Sequence, residues 1–131
     1  MSNKAVVQQR FKGKKVLVTG ASGGIGSVLV SSLRKEGALV AVSDLETSNI
    51  KADVHFDGDL LDSSFCDFLP SRVAKHFNGI DILFNNAGVI TRGKITDTSD
   101  ADYSRTMGVN VEAPFRLCRA VIRLMKPGSS I

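Results

Sequence analysis

The chain has 131 residues, enough for one domain around one buried core. With 43% hydrophobic and 23% charged residues and no biased tract, its composition excludes a disordered or fibrous protein. Its net charge of +4 raises nucleic acid as a partner, but the excess is local. Lys4, Arg10, Lys12, Lys14 and Lys15 fall in the first 15 positions without an acid, leaving 12 bases against 13 acids in the rest. No aromatic interleaving or groove-reading motif accompanies these bases, so residues 1–13 read as a solvated basic arm and no nucleic acid is expected. No stretch nears the ~20 continuous apolar residues of a membrane span, and residues 1–10 lack the apolar centre of a secretory signal. The expectation is a cytoplasmic protein with no membrane contact. Cys66 and Cys118 stand far apart and read as free thiols; His55 and His76 match no ligand spacing, so no metal is expected.

From Lys14 onward, short β-rich runs alternate with helical patterns. Lys15-Val16-Leu17-Val18-Thr19 is a short apolar run between Gly13 and Gly20, which predicts a buried strand. Ile25, Val28, Leu29 and Leu33 then recur at helical spacing, with Gly37 as the stop. Ala38-Leu39-Val40-Ala41-Val42 predicts a second strand and Val54-His55-Phe56 a third. Asp62 or Ser63 caps the next helix, whose apolar face is Phe65, Leu69, Ala74 and Phe77 and which ends at Asn78-Gly79. Pro70 predicts a kink or break inside it. Residues 80–84 form a fourth strand. Ser99 and Asp102 resemble a capping box that opens a long helix toward Met125, distorted locally at Pro114. Ser129-Ser130-Ile131 has the character of a fifth strand beginning. The order β-α-β-β-α-β-α predicts an α/β fold, with a parallel sheet carrying helices on both faces.

Three motifs carry chemistry. Thr19-Gly20-Ala21-Ser22-Gly23-Gly24-Ile25-Gly26 joins the first strand to its helix. Glycines let the backbone turn tightly and approach an anion, and the helix start offers unpaired N–H groups to a pyrophosphate. A glycine-rich turn alone also serves plain strand-to-helix packing; its position favours a dinucleotide. Asp44 follows the second strand, where a carboxylate can accept from both ribose hydroxyls of an adenosine and repel a 2′-phosphate. No basic residue lies within residues 20–26 or 43–45, which favours NAD over NADP. Asn85-Asn86-Ala87-Gly88, ending the fourth strand, can satisfy neighbouring backbone while leaving room for a cofactor, or can be a simple turn.

Together with Asp59-Leu60 and Val109-Asn110, these pieces resemble the short-chain dehydrogenase/reductases along nearly the whole chain from Lys14. The glycine spacing also fits the extended, epimerase-type branch; Asn-Asn-Ala-Gly favours the shorter branch. The resemblance implies a Rossmann-type doubly wound parallel sheet over residues 14–131, truncated at the start of the fifth strand. It implies that Gly20, Ser22, Gly24, Ile25 and Gly26 line the pyrophosphate and nearby ribose, and that Asp44 holds the adenosine ribose. Asp59 and Leu60 would bracket the adenine, and Asn86, Ala87 and Gly88 would run along the cofactor. Asn110 matches the catalytic asparagine, which supports a proton relay through water. The family's Ser and Tyr-x-x-x-Lys lie beyond the long helix; here the single tyrosine, Tyr103, has Met107 four positions on. The expected function is the N-terminal part of an NAD-dependent oxidoreductase acting on an alcohol or ketone, homo-oligomeric as the family commonly is. The alternative is a non-catalytic module that binds a nucleotide or a partner.

Overall fold

A computed structural model describes residues 8–131. Its elements are β1 (Lys15–Thr19), α1 (Gly24–Lys35), β2 (Leu39–Asp44), β3 (Val54–Asp57), α2 (Ser63–Phe77), β4 (Ile82–Phe84), α3 (Asp100–Met107) and α4 (Ala113–Ile122), with a π-helical stretch Gly108–Glu112 joining the last two. The strands pair in parallel in the order β3-β2-β1-β4. Alternation along the strands divides the core in two. Leu17, Ala41 and Leu83 pack with Leu69 and Val73 of α2 and Leu117 and Val121 of α4. Val16, Val18, Val40 and Val42 face the other way, onto Val30 and Leu33 of α1. With both faces covered, β1 and β2 are apolar at consecutive positions, which is why they were legible as runs. The expected fifth strand begins as a single parallel bridge between Ile82 and Ser130, and the Leu83 N–H donates to the Ser130 carbonyl at 3.1 Å.

Three local expectations change. The buried line of α1 is Gly26, Val30 and Leu33; Ile25 and Val28 are exposed. Gly26 sets that phase, because only a residue without Cβ can face the Gly20 carbonyl so closely. Helix α2 runs unbroken through Pro70, which is itself buried with Cys66, Leu69 and Val73. Packing against α4 offsets the roughly 3 kcal/mol that an interior proline costs. The basic segment is no free arm where it is described: Phe11 N–H donates to the Glu36 carbonyl, Gly13 N–H to the Gly37 carbonyl, and Arg10 pairs with Glu36 at 2.5 Å. The hydrogen-bonded Arg10 guanidinium holds the Glu36 carboxyl below its ordinary pKa. Residues 1–7, with Lys4, lie outside the described residues.

The other predicted signals fall into place. Asp62 caps α2 by accepting from Ser64 and Phe65 N–H, and Asn78 ends it in the left-handed conformation. Ser99 caps α3 through Asp102 N–H, although Asp102 answers the Ser99 hydroxyl, as a full capping box would not. The distortion expected at Pro114 is the π stretch immediately before it. Proline brings no N–H to the Asn110 carbonyl four residues back, and its ring needs the wider turn. Cys66 and Cys118 are free, and burial above all pushes the Cys66 thiol up to about 11, leaving it unreactive near neutrality. Among the described residues no helix is long and apolar enough to cross a membrane, and no three His, Cys, Asp or Glu side chains group to hold a metal.

Candidate functional site

Strand order reverses between β1 and β4: the chain steps outward to β2 and β3, then returns to the far side of β1. Open α/β sheets form a ligand crevice at such a reversal, beyond the carboxyl ends of the strands. Here a cleft of about 390 Å³ opens at that point, lined by the glycine loop, the ends of β2 and β4, the turn after β3 and the α3 side.

Its floor is riveted by side chains from both halves. The Asn86 amide donates to the carbonyls of Thr19 at 3.1 Å and Gly20 at 3.0 Å. The Thr19 hydroxyl donates to the Phe84 carbonyl and accepts from Ala87 N–H at 3.2 Å. Gly20 has φ +64, and a Cβ on it would stand 2.6 Å from Ala87 Cα. A Cβ on Gly26 would overlap the Gly20 carbonyl and come within 2.8 Å of the Asn86 amide. Gly20 and Gly26 are therefore glycines for packing. Gly24 is different: a Cβ there meets nothing within 4 Å, and the residue lines the cleft.

Helix α1 starts at Gly24 with Gly23 as an N-cap that supplies no side chain, and its first turn has no acid. The amides of Gly24, Ile25 and Gly26 thus have no intrahelical acceptor, and the positive end of the helix dipole faces the cleft. A phosphate-bearing group fits this arrangement.

Across the cleft, Asp44 accepts from Ser22 N–H at 3.0 Å and Leu45 N–H at 2.8 Å. Each carboxylate oxygen keeps a free lone pair. Asp59 lines the cleft and accepts from Leu61 N–H at 2.9 Å, which shapes the turn that presents Leu60.

The structure brings Gly20, Gly24, Ile25, Gly26, Asp44, Asp59, Leu60, Asn86, Ala87 and Gly88 together around this one cleft. Two predicted residues stand off it. The Ser22 hydroxyl donates to the Glu46 carbonyl instead, tying the glycine loop to the loop after β2. Asn110, in the π stretch, accepts from Val89 N–H and donates to the Val89 carbonyl, both at 2.8 Å. It braces the cleft wall. The sequence reading also missed Leu45, Leu61, Val89, Val109 and Arg105 in the lining. Arg105 is the consequential omission. It reaches the cleft from α3, has no acidic partner among the described residues, and carries no local sequence signal of such a position.

Comparison with known proteins decides the family. The short chain dehydrogenase profile matches residues 14–130. The chain belongs to the short chain dehydrogenase family. An uncharacterized oxidoreductase of Thermotoga maritima is 34% identical over 127 residues, covering 88% of this chain and 50% of that protein. A D-threitol dehydrogenase of Mycolicibacterium smegmatis is 33% identical, covering 88% and 48%. The crystal structure of a short chain dehydrogenase of Burkholderia cenocepacia in complex with NADP superposes with a TM-score of 0.85 at 31% identity, covering 92% of this chain and 56% of that one. The chain spans about half the length of the curated family members it matches.

Proposed function

We propose that this chain is the dinucleotide-binding part of an NAD-dependent oxidoreductase that acts on a small alcohol or ketone. The carrying observation is the pairing of free α1 amides, beside the open space at Gly24, with the Asp44 carboxylate across the cleft. When bound, the nicotinamide dinucleotide supplies the hydride acceptor or donor. The residues of the chain hold it. Amides of Gly24, Ile25 and Gly26 take the pyrophosphate, Asp44 takes the adenosine ribose hydroxyls, and Asp59, Leu60 and Leu61 border the adenine. Asn110 positions Val89. Its backbone carbonyl, to which Pro114 brings no N–H, is the part able to hold a relay water. Two free thiols suit a reducing cytoplasm.

The test is the Asp44→Ala variant, read by calorimetric titration with NAD and NADP. Charge-assisted hydrogen bonds contribute about 1.5–3 kcal/mol, so NAD should weaken roughly tenfold or more while NADP is spared. Equal affinity of the unmutated chain for both cofactors refutes the assignment. NADP is the second reading, on one observation: Arg105 puts an uncommitted cation on the cleft wall. Under that reading Arg105→Ala weakens NADP and leaves NAD unchanged.

The proposed assembly is a homo-oligomer. Tyr103, Met107, Val111 and Phe115 recur every fourth residue along α3, the π stretch and α4, all exposed, and Ile122 extends the stripe. They line a groove together with Gly108, a surface that a second copy of the same helix fits. Truncating a central interface aromatic commonly costs at least ~2 kcal/mol, about thirtyfold in affinity. Sedimentation of Phe115→Glu should therefore show monomer at concentrations where the unmutated chain associates; an unchanged profile places the interface elsewhere.

A further inference from the structure

We infer that Thr47 is the positioning residue for cofactor discrimination: it clasps the loop after β2 so that Asp44 and Leu45 are held against the cleft. The inference rests on the NAD reading above and deepens it. Nine residues, 45–53, join two adjacent parallel strands with no helix between them, so hydrogen bonds along the loop must fix its path. Both ends are tied by backbone. Gly58 N–H donates to the Asp44 carbonyl, Asp53 N–H donates to the Val40 carbonyl, and Val40 N–H donates to the Asp53 carboxylate.

The middle is tied by Thr47, which is 1% exposed although its neighbours Leu45 and Glu46 lie at the surface. Thr47 N–H donates to Asp57 Oδ1 at 3.0 Å and its hydroxyl donates to the same oxygen at 2.6 Å. Asp57 is the β3 residue in register with Asp44, so the loop folds back beside the residue it serves. The single hydroxyl proton is committed to the carboxylate. His55 Nδ1, 3.0 Å from the same hydroxyl, must therefore carry its own proton and donate. A three-member chain, His55 to Thr47 to Asp57, results.

From this anchor the constraint runs toward the cleft through Glu46. Its carbonyl receives the Ser22 hydroxyl, and Ser22 N–H donates to Asp44. The glycine loop and the discriminating carboxylate are thus joined to a loop whose fixed point is Thr47. Releasing that point frees Leu45 and the Asp44 carboxylate to swing outward, while the Asp44 backbone stays in β2, and so opens room where a 2′-phosphate would go.

Thr47→Val keeps shape and β-branching and removes only the hydroxyl; Thr47→Ser keeps the hydroxyl. Two measurements separate this inference from the reading beneath it. In the chain without cofactor, hydrogen exchange at the Ser22 and Leu45 amides, both bonded to Asp44, should quicken about tenfold in Thr47→Val and return to within twofold in Thr47→Ser. The ratio of NADP to NAD dissociation constants should fall about fivefold in Thr47→Val and recover in Thr47→Ser. Unchanged exchange at those two amides overturns the clasp. Altered exchange with an unchanged ratio overturns its role in discrimination, as does a drop in Tm alone. An unmutated chain that does not discriminate refutes the NAD reading, and with it this role of Thr47, while the exchange data still decide whether the clasp exists.

Discussion

No dehydrogenase turnover is expected from the isolated 131-residue chain on any alcohol or ketone. Reduction of a carbonyl needs a proton donor beside its oxygen, and a well-placed general acid or base typically contributes about 10²–10⁴ in rate. The single tyrosine in the chain does not line the cleft. Tyr103 lies on the outer side of α3, 61% exposed, in the groove with Met107 and Phe115. Four residues on stands Met107, which brings no positive charge beside it. Purified chain of verified mass, followed by NADH absorbance across an alcohol and ketone panel, checks this. Turnover abolished by Tyr103→Phe would overturn the assignment of Tyr103 as a bystander.

Two glycines two residues apart should fail in opposite ways. Gly26→Ala drives a methyl into the Gly20 carbonyl and toward the Asn86 amide, and neither can retreat without breaking the rivet between β1 and β4. Overpacking of this kind costs about 1–3 kcal/mol, which for a domain this size lowers Tm by on the order of 10 °C. Gly24→Ala meets nothing within 4 Å, so Tm should hold or rise slightly. Its methyl instead occupies the space set aside for the anion, and affinity for NAD should fall at least roughly tenfold. Thermal melts paired with cofactor titrations separate the two. A Gly24→Ala variant that melts early, or binds NAD normally, would remove that glycine from the site.

Much of this was open to inspection in the residues alone, and the exceptions have physical causes. Strands β1 and β2 are buried on both faces, and Asp62 and Ser99 cap helices by purely local bonds, so short windows contain the whole signal. The phase of α1 was misjudged because Ile25 and Val28 look like core residues, whereas a single glycine contact turns the helix by one residue. Pro114 was rightly expected to distort its helix, while the break that Pro70 also allowed does not occur; tertiary burial is the difference, and no window reports it. The cleft's own glycines, Asp44 and the Asn86 segment could be assembled from motifs. The Ser22 hydroxyl could not be placed, since its acceptor is the backbone of Glu46 in another loop. Arg105 was invisible for the same reason: the long-range packing of α4 on α2, joined to α3 through the π stretch, brings α3 to the cleft wall, and no local signal marks it.

The rivet at the cleft floor bears on the order in which the molecule can come into being. Asn86 and Ala87 reach back 66 to 68 residues to Thr19 and Gly20. A chain emerging from a ribosome can pair β1, β2 and β3 while β4 is still unmade, since those contacts are near in sequence. In that intermediate the glycine turn can keep its Ser22 bonds to Asp44 and Glu46, but it is not closed on β4. Its carbonyls lack the Asn86 donors, and the left-handed Gly20 has no Ala87 against which to settle. Closing so long a loop is the slow part of folding, because entropy is lost before any contact rewards it. The turn that carries the anion site is therefore completed late, with the fourth strand. A cofactor that binds only the finished turn then stabilises a non-local joint between the two sides of the sheet, alongside the β1–β4 ladder.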